Sequence, residues 1–272
     1  MKKSILFSVI SLLFCLSSYG QSFKQDYWAA LKEKNMEKAE KILETWDLAD
    51  ANDSELYISY FNFYTIKSLE KDSTVYEKEY TDKALYFITE GIERFPTRFD
   101  MRIVKIYMLG KIKDFTSYTD EVLSMINYSA KIGHNWKGEN FSLMTNSAEM
   151  FDEAILEFQE NLLAENDESL HENIIQISNE MLRCYPNHTQ SRINLSTIYI
   201  MRKQYDKSIE TLLKALERNE KNTIVSYNLA YAYGLKGDKT NAKKYFELTI
   251  TNATEKEEKL KIAAQRQLDA LK

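Results

Sequence analysis

The chain has 272 residues, with 36 Lys+Arg against 41 Asp+Glu and a formal charge of −5. Its 7 Gly and 2 Pro amount to about 3% of residues, against roughly 12% in ordinary soluble proteins, too few for a sheet-rich fold or for the phosphate loops of Rossmann and P-loop enzymes. A 44% apolar fraction with 12% aromatics can build a packed core, so a helix-rich globular or repeat protein remains.

Lys2 and Lys3 precede an apolar run from Ile5 to Leu16, followed by Ser17, Ser18, Tyr19 and Gly20. A positive start, a twelve-residue apolar run and small residues before Gln21 make residues 1–20 a secretory signal peptide, too short for the roughly 20 residues of a membrane span. Cleavage after Gly20 brings the charge to −5 − 2 = −7 and removes Cys15, leaving Cys184 alone. A periplasmic or secreted bacterial protein without disulfides is expected, its stability resting on packing. Leu12-Leu13-Phe14-Cys15 is similar to a bacterial lipoprotein box, but Phe14 stands where a small residue is needed, so lipidation is the weaker reading. No later segment is long and apolar enough to span a membrane.

In the mature chain the pattern predicts helices near 24–35, 36–47, 54–70, 75–94, 98–110, 114–132, 140–164 and 169–184, then two clear hairpins and a last helix over 255–271. Helix starts are marked by S/T-x-x-E capping boxes at Thr74–Glu77, Ser169–Glu172 and Thr254–Glu257. Residues 56–64, Leu-Tyr-Ile-Ser-Tyr-Phe-Asn-Phe-Tyr, are apolar nearly all round, as expected of a helix covered on several sides. Pro96 and Pro186 follow helical segments, and each precedes an Arg-Ile pair, Arg102-Ile103 and Arg192-Ile193. Proline ends one helix and resets the chain for the next.

Sliding the segment from Thr189 by 34 residues onto Thr223 pairs Leu195 with Leu229, Ser196 with Ala230, Tyr199 with Tyr233, Ser208 with Ala242 and Leu212 with Phe246. Small residues at Ser196, Ser208, Ala230 and Ala242 let paired helices approach to roughly 8–10 Å, and the large ones fill the space beside them. One such hairpin cannot bury its apolar face alone, so units must stack. The pattern resembles the tetratricopeptide repeat (TPR) family, clearly over 189–252 and in degenerate form elsewhere, with departures at Ser208, Thr249 and Glu220. The resemblance implies an all-α, TPR-like solenoid of stacked antiparallel hairpins: degenerate repeats over 21–135, an irregular unit over 136–188, two clear repeats, and a capping helix over 253–272.

Few residues suggest chemistry. His171-Glu172 opens like a zinc-protease helix, but position 175 is Ile175, and the three histidines have no ligand spacing. Gly133 and Gly138 lack the lysine of a phosphate loop, since Glu139 follows. Asp47, Asp50, Asn52, Asp53 and Glu55 suggest calcium, yet an EF-hand counted from Asp50 would need Gly at Glu55 and Glu at Phe61. Cys184 and His188 could form a thiol–imidazole pair, although a lone cysteine near a helix end is more often a small buried apolar residue. Trp136 is expected to plug the irregular unit. No metal, cofactor or catalytic residue is expected, and the alternating charges with no basic stripe argue against nucleic acid.

The resemblance implies a noncatalytic protein–protein interaction scaffold that binds a peptide or helix on its concave face. On the first helices of the two clear repeats, Ile193, Asn194, Thr197 and Met201, then Tyr227, Asn228, Tyr231 and Leu235, are the candidate partner-binding residues, the two asparagines serving a partner's backbone. The same apolar stripe would also suit contacts between adjacent helices. The carboxylate clamp known in the family is not carried over: Ile193 and Thr197 replace its first pair, Asn228 alone matches, and Glu258 and Ile262 replace the third pair. An exported helical enzyme or small-ligand-binding protein without a recognisable motif is the alternative.

Overall fold

The computed structural model describes residues 22–69, 75–139 and 142–271. They form helices α1 (22–32), α2 (Met36–Ala49), α3 (Ser54–Ser68), α4 (Lys78–Arg94), α5 (Phe99–Lys111), α6 (Phe115–Ile132), α7 (Ser147–Ala164), α8 (His171–Cys184), α9 (Thr189–Met201), α10 (Tyr205–Leu216), α11 (Thr223–Lys236), α12 (Lys239–Asn252) and α13 (Glu258–Ala270). Among the described residues the protein is all-α with a TPR-like solenoid fold, in which α2 to α5 and α8 to α13 each pack on the helix next in the chain. Its contacts divide into two units. The first spans residues up to Asp114 together with His134–Ala148, and the second spans Phe115–Gly133 and Glu149 onward. The signal peptide and Thr74 of the Thr74–Glu77 box lie outside the described residues.

The repeat register is written in the turns. Lys34, Lys113, Lys203 and Gly237 hold left-handed backbone, with φ of 56°, 60°, 57° and 89°. Each donates its N–H to the carbonyl three residues back (Leu31, Gly110, Ile200, Gly234), and the following N–H reaches the carbonyl five back (Ala30, Leu109, Tyr199, Tyr233). This paired bonding is a Schellman turn, which satisfies the last carbonyls of a helix and reverses the chain. So α1, α5, α9 and α11 end in equivalent turns. The turn of the first clear repeat is thus Lys203-Gln204.

The junctions between hairpins also repeat. Asp50, Phe95 and Tyr185 each donate to the carbonyl four residues back and accept from the N–H three residues on, that of Asp53, Arg98 and His188. Pro96 and Pro186 stand in two of these junctions, as expected. At α3, Asp53 caps through Glu55 N–H (2.9 Å), and at α11 Asn222 caps through Val225 N–H (2.9 Å).

In the first unit Leu56, Tyr60 and Phe63 of α3 pack with Tyr27, Leu43 and Trp46, while Tyr57 and Phe61 pack with Ala84, Ile88 and Met101. The helix apolar on all sides is indeed covered on several. A Cβ at Gly91 would stand 2.8 Å from the Tyr57 Cβ, so α3 and α4 approach too closely for any larger residue. In the second unit Leu212, Leu229, Ala230, Ala242 and Phe246 share one core, and the Ser196 and Ser208 hydroxyls meet at 2.8 Å where α9 crosses α10.

Three expectations need correction. The helix expected from 140 starts at Ser147, because the preceding loop spends its backbone groups elsewhere. Lys137 N–H donates to Thr97 and Met144 N–H to Trp136, and Asn146 (φ 58°) takes left-handed backbone. The Ser169–Glu172 box is replaced by a 3-10 turn at Glu168–Leu170, capped by Asp167. The helix expected from 75 starts at Lys78. The Thr254–Glu257 box forms as expected.

Candidate functional site

The first helices of the two clear repeats carry almost no charge. From Thr189 to Met201, and again from Thr223 to Leu235, the one ionised side chain is Arg192, whose Nη2 donates to the Pro186 carbonyl (2.9 Å). The outward face of α11 is therefore apolar where a surface helix is ordinarily charged. Ile224 is 49% exposed, Tyr231 39% and Leu235 42%, with Met201 of α9 at 52%. Ile224, Tyr231 and Leu235 are seven and four residues apart, which puts them along one side of the helix.

The eight candidate residues divide. Thr197, Met201, Tyr231 and Leu235 are exposed. Tyr227 is half-buried and meets Phe246 edge-on at 5.7 Å, so its ring belongs largely to the core. Asn228 is half-buried, and its amide makes no hydrogen bond among the described residues. Two expectations fail. Ile193 is buried in the core beside Ile209 and Leu212, because its position in the turn register faces the neighbouring helices. Asn194 is not available to a partner's backbone. Its Nδ2 donates to Gln159 Oε1 (2.6 Å) and its Oδ1 accepts from Gln190 (2.8 Å). Gln159 is itself buried and donates onward to Ser178 Oγ at 2.7 Å, so this chain of amides joins α7, α8 and α9.

Residues 189–222 and 225–252 match the family model of the tetratricopeptide repeat. The two hairpins are tetratricopeptide repeats. No curated protein sequence matches the chain. Among solved structures it is similar to YrrB, described as a TPR protein with an unusual peptide-binding site. That likeness has 14% identity, covers 82% of this chain and 97% of that one, and has a TM-score of 0.42. It is also similar to the C-terminal part of a TPR protein from Cytophaga hutchinsonii, with 14% identity, coverage of 85% and 78%, and a TM-score of 0.45. A tetratricopeptide repeat protein from Parabacteroides merdae shows 11% identity, coverage of 93% of each chain, and a TM-score of 0.39. Likenesses of this size carry no functional inference.

The other motifs resolve into local structure. Asp53 and Asp50 accept backbone N–H groups as caps, and Asp53 also accepts from Trp46 Nε1 (3.2 Å). Burial raises the Asp53 carboxyl above its ordinary value despite these bonds. Cys184 lies near Arg183 and Asn127, whereas His188 Nδ1 caps α9 at Ser191, so no thiol–imidazole pair forms. Burial pushes the Cys184 thiol upward, away from nucleophilic character. Trp136 is fully buried, as expected, but its ring packs edge-on against Phe99 of α5 in the first unit rather than inside the segment 136–188.

Sequence reasoning missed a buried ion network in the first unit. Arg98, with no exposed surface, donates through Nη1 to Glu55 Oε1 (2.6 Å) and Ser54 Oγ (2.5 Å), and through Nε and Nη2 to both oxygens of Asp100 (2.9 and 2.7 Å). Lys24 donates to the other Glu55 oxygen at 2.7 Å and also pairs with Glu139. Burial opposes the Glu55 charge, but the Lys24 hydrogen bond and the Arg98 charge outweigh it and hold the carboxyl below its ordinary value. Nothing local in the sequence marks these partners, which lie 31 and 43 residues from Glu55.

Proposed function

We propose that this protein is an exported, noncatalytic scaffold whose tandem repeats hold an uncharged, apolar segment of another protein across α9 and α11. Met201, Ile224, Tyr231 and Leu235 supply the apolar contact, Thr197 and Asn228 the polar ones, and Tyr227 supports the face from its core side. The observation that carries this reading is the exposed apolar stripe of α11 on a helix without charge from Thr223 to Leu235. Such faces are rare on proteins without partners. Tyrosine suits the role, giving large contact area at low entropic cost with a polar tip. Asn228 leaves both a donor and an acceptor for a partner's backbone. Export rests on residues 1–20, and the native protein is expected to have the intact mass of a chain starting at Gln21.

The test is crosslinking from a photoreactive group at Met201, the exposed residue of α9 on this face, in the native cell envelope. One or few specific proteins, lost on Tyr231→Ser with Leu235→Ser, support the reading. An undiminished crosslink in that double variant would sink it. A retained small molecule in native mass spectrometry, with no captured protein, would favour the exported enzyme or ligand-binding alternative.

A further inference from the structure

In the first unit a row of tyrosines on α3 faces carboxylates of α2. Tyr57, Tyr60 and Tyr64 stand three and four residues apart, on one side of the helix. The Tyr60 and Tyr64 rings stack on Phe87 of α4, at 4.1 and 5.6 Å. Glu40, Glu44 and Asp47 share one side of α2, and all three charges act on the Tyr60 phenol. Cations already lie on this face. The Arg94 guanidinium stands over the Tyr57 ring at 5.6 Å, Lys83 Nζ over Tyr64 at 5.7 Å and Lys67 Nζ over Tyr80 at 4.9 Å. Each has a carboxylate of its own: Glu90 at 3.8 Å, Glu79 at 2.8 Å and Glu40 at 3.6 Å. Tyr60, between Tyr57 and Tyr64, meets no cation among the described residues, and Glu44 and Asp47 make no ion pair there. Tyr60 is only 6% exposed, yet its hydroxyl makes no hydrogen bond among the described residues. An unpartnered phenol and two uncompensated carboxylates thus share one place on the face.

We propose that this place binds an arginine side chain presented by a segment of another protein. A guanidinium carries donors enough for the phenol oxygen and for the carboxylates of Glu44 and Asp47 together. It is planar and weakly hydrated, so it also stacks on aromatic rings. Tyr86, 59% exposed and edge-on to Phe87 at 5.3 Å, presents such a ring. Arg94 over Tyr57 is the same kind of contact made within the chain. Burial holds the Tyr60 phenol well above its ordinary value, so at neutral pH it remains an uncharged group that can accept a hydrogen bond. The Phe87 stack fixes the ring beforehand, so its hydroxyl need not be ordered when the arginine arrives. The site selects a chemistry opposite to that of α11, cationic rather than uncharged, and does not depend on the reading of that face.

The test is calorimetric titration of the purified protein with a blocked Ala-Arg-Ala-Arg-Ala peptide. A matched peptide with citrulline for arginine keeps the shape and loses the charge. The arginine peptide is expected to bind and the citrulline peptide is not. Glu44→Gln with Asp47→Asn should weaken arginine-peptide binding about tenfold. Both residues are exposed, so the melting temperature should hold. Tyr60→Phe removes the hydroxyl alone and should weaken binding to a smaller extent. Glu217→Gln with Glu220→Gln takes two exposed charges from the second unit and should leave binding unchanged. Tyr231→Ser with Leu235→Ser should leave it unchanged too, which separates failure here from failure of the α11 reading. No binding of the arginine peptide, equal binding of the citrulline peptide, or undiminished affinity in the Glu44 and Asp47 double variant or in Tyr60→Phe would overturn the proposal. So would an equal loss in the Glu217 and Glu220 double variant.

Discussion

The two units solve one problem, bringing helices close, with different chemistry. In the second, small residues and hydroxyls meet: Ser196 with Ser208, and Ser226 with Thr249, each at 2.8 Å, with Ala230 and Ala242 fully buried. In the first, α3 and α4 close over Gly91, and α3 and α5 are joined by Arg98 clamped between Glu55 and Asp100. Hydroxyl pairs are interchangeable with alanine at little cost, which lets a repeat drift and remain a repeat. A buried guanidinium cannot be replaced alone, because its carboxylates would be left uncompensated, so the helices around it can change only together.

The largest expected effect tests that contrast. Arg98→Ala leaves Glu55 buried without one of its two cations, and losing one partner of a buried pair costs about 3–5 kcal/mol. A calorimetric scan should show a low-temperature transition absent from the parent; an unchanged scan would mean that water replaces the guanidinium freely. In the second unit, Ala230→Leu forces extra atoms into a closed contact, for about 1–3 kcal/mol. Ala230 and Ala242 are both fully buried in the same core. A smaller effect is the response to acid. Because the folded Glu55 carboxyl lies below its unfolded value, its contribution is fully present above the ordinary carboxylate pKa, roughly 4. It is lost as the pH falls through the folded value. Hydroxyl pairs do not titrate, so melts at pH 3 and pH 7 should differ more in the parent than in Glu55→Gln; parallel curves would remove Glu55 from the account. Smallest of all, Tyr231→Ser with Leu235→Ser should leave the melt within error, whereas Tyr227→Ser lowers it. If all three tyrosine and leucine changes melt alike, the division between core and exposed face on α11 is wrong.

What could be read in advance follows from the same contrast. The second unit keeps its small and large residues 34 positions apart, so Leu195 on Leu229 and Ser208 on Ala242 were enough to recognise the hairpins. The 90-residue offset of the two prolines was also visible, and it equals the distance from Lys113 to Lys203. That these lysines take the place of Gly237 was not visible, because no glycine marks their turns. Ile193 and Asn194 were misplaced for a different reason. Helical periodicity tells which residues share a side, but the buried Gln159 that captures Asn194 comes from a helix 35 residues upstream. The Glu55 network was illegible for that reason too: its members are brought together by stacking.

The turn lysines have a consequence for salt. A side chain in left-handed backbone costs roughly 1 kcal/mol relative to glycine. Lys34, Lys113 and Lys203 each follow the carbonyl end of a helix, where the aligned peptide dipoles leave partial negative charge. A cation there regains typically 0.3–1 kcal/mol at low ionic strength, and that gain is screened by salt. Strain and dipole attraction thus nearly offset one another in dilute buffer, and the balance shifts toward strain as ions accumulate. Replacing Lys203 by glycine should therefore change little at low salt and stabilise the repeat at high salt.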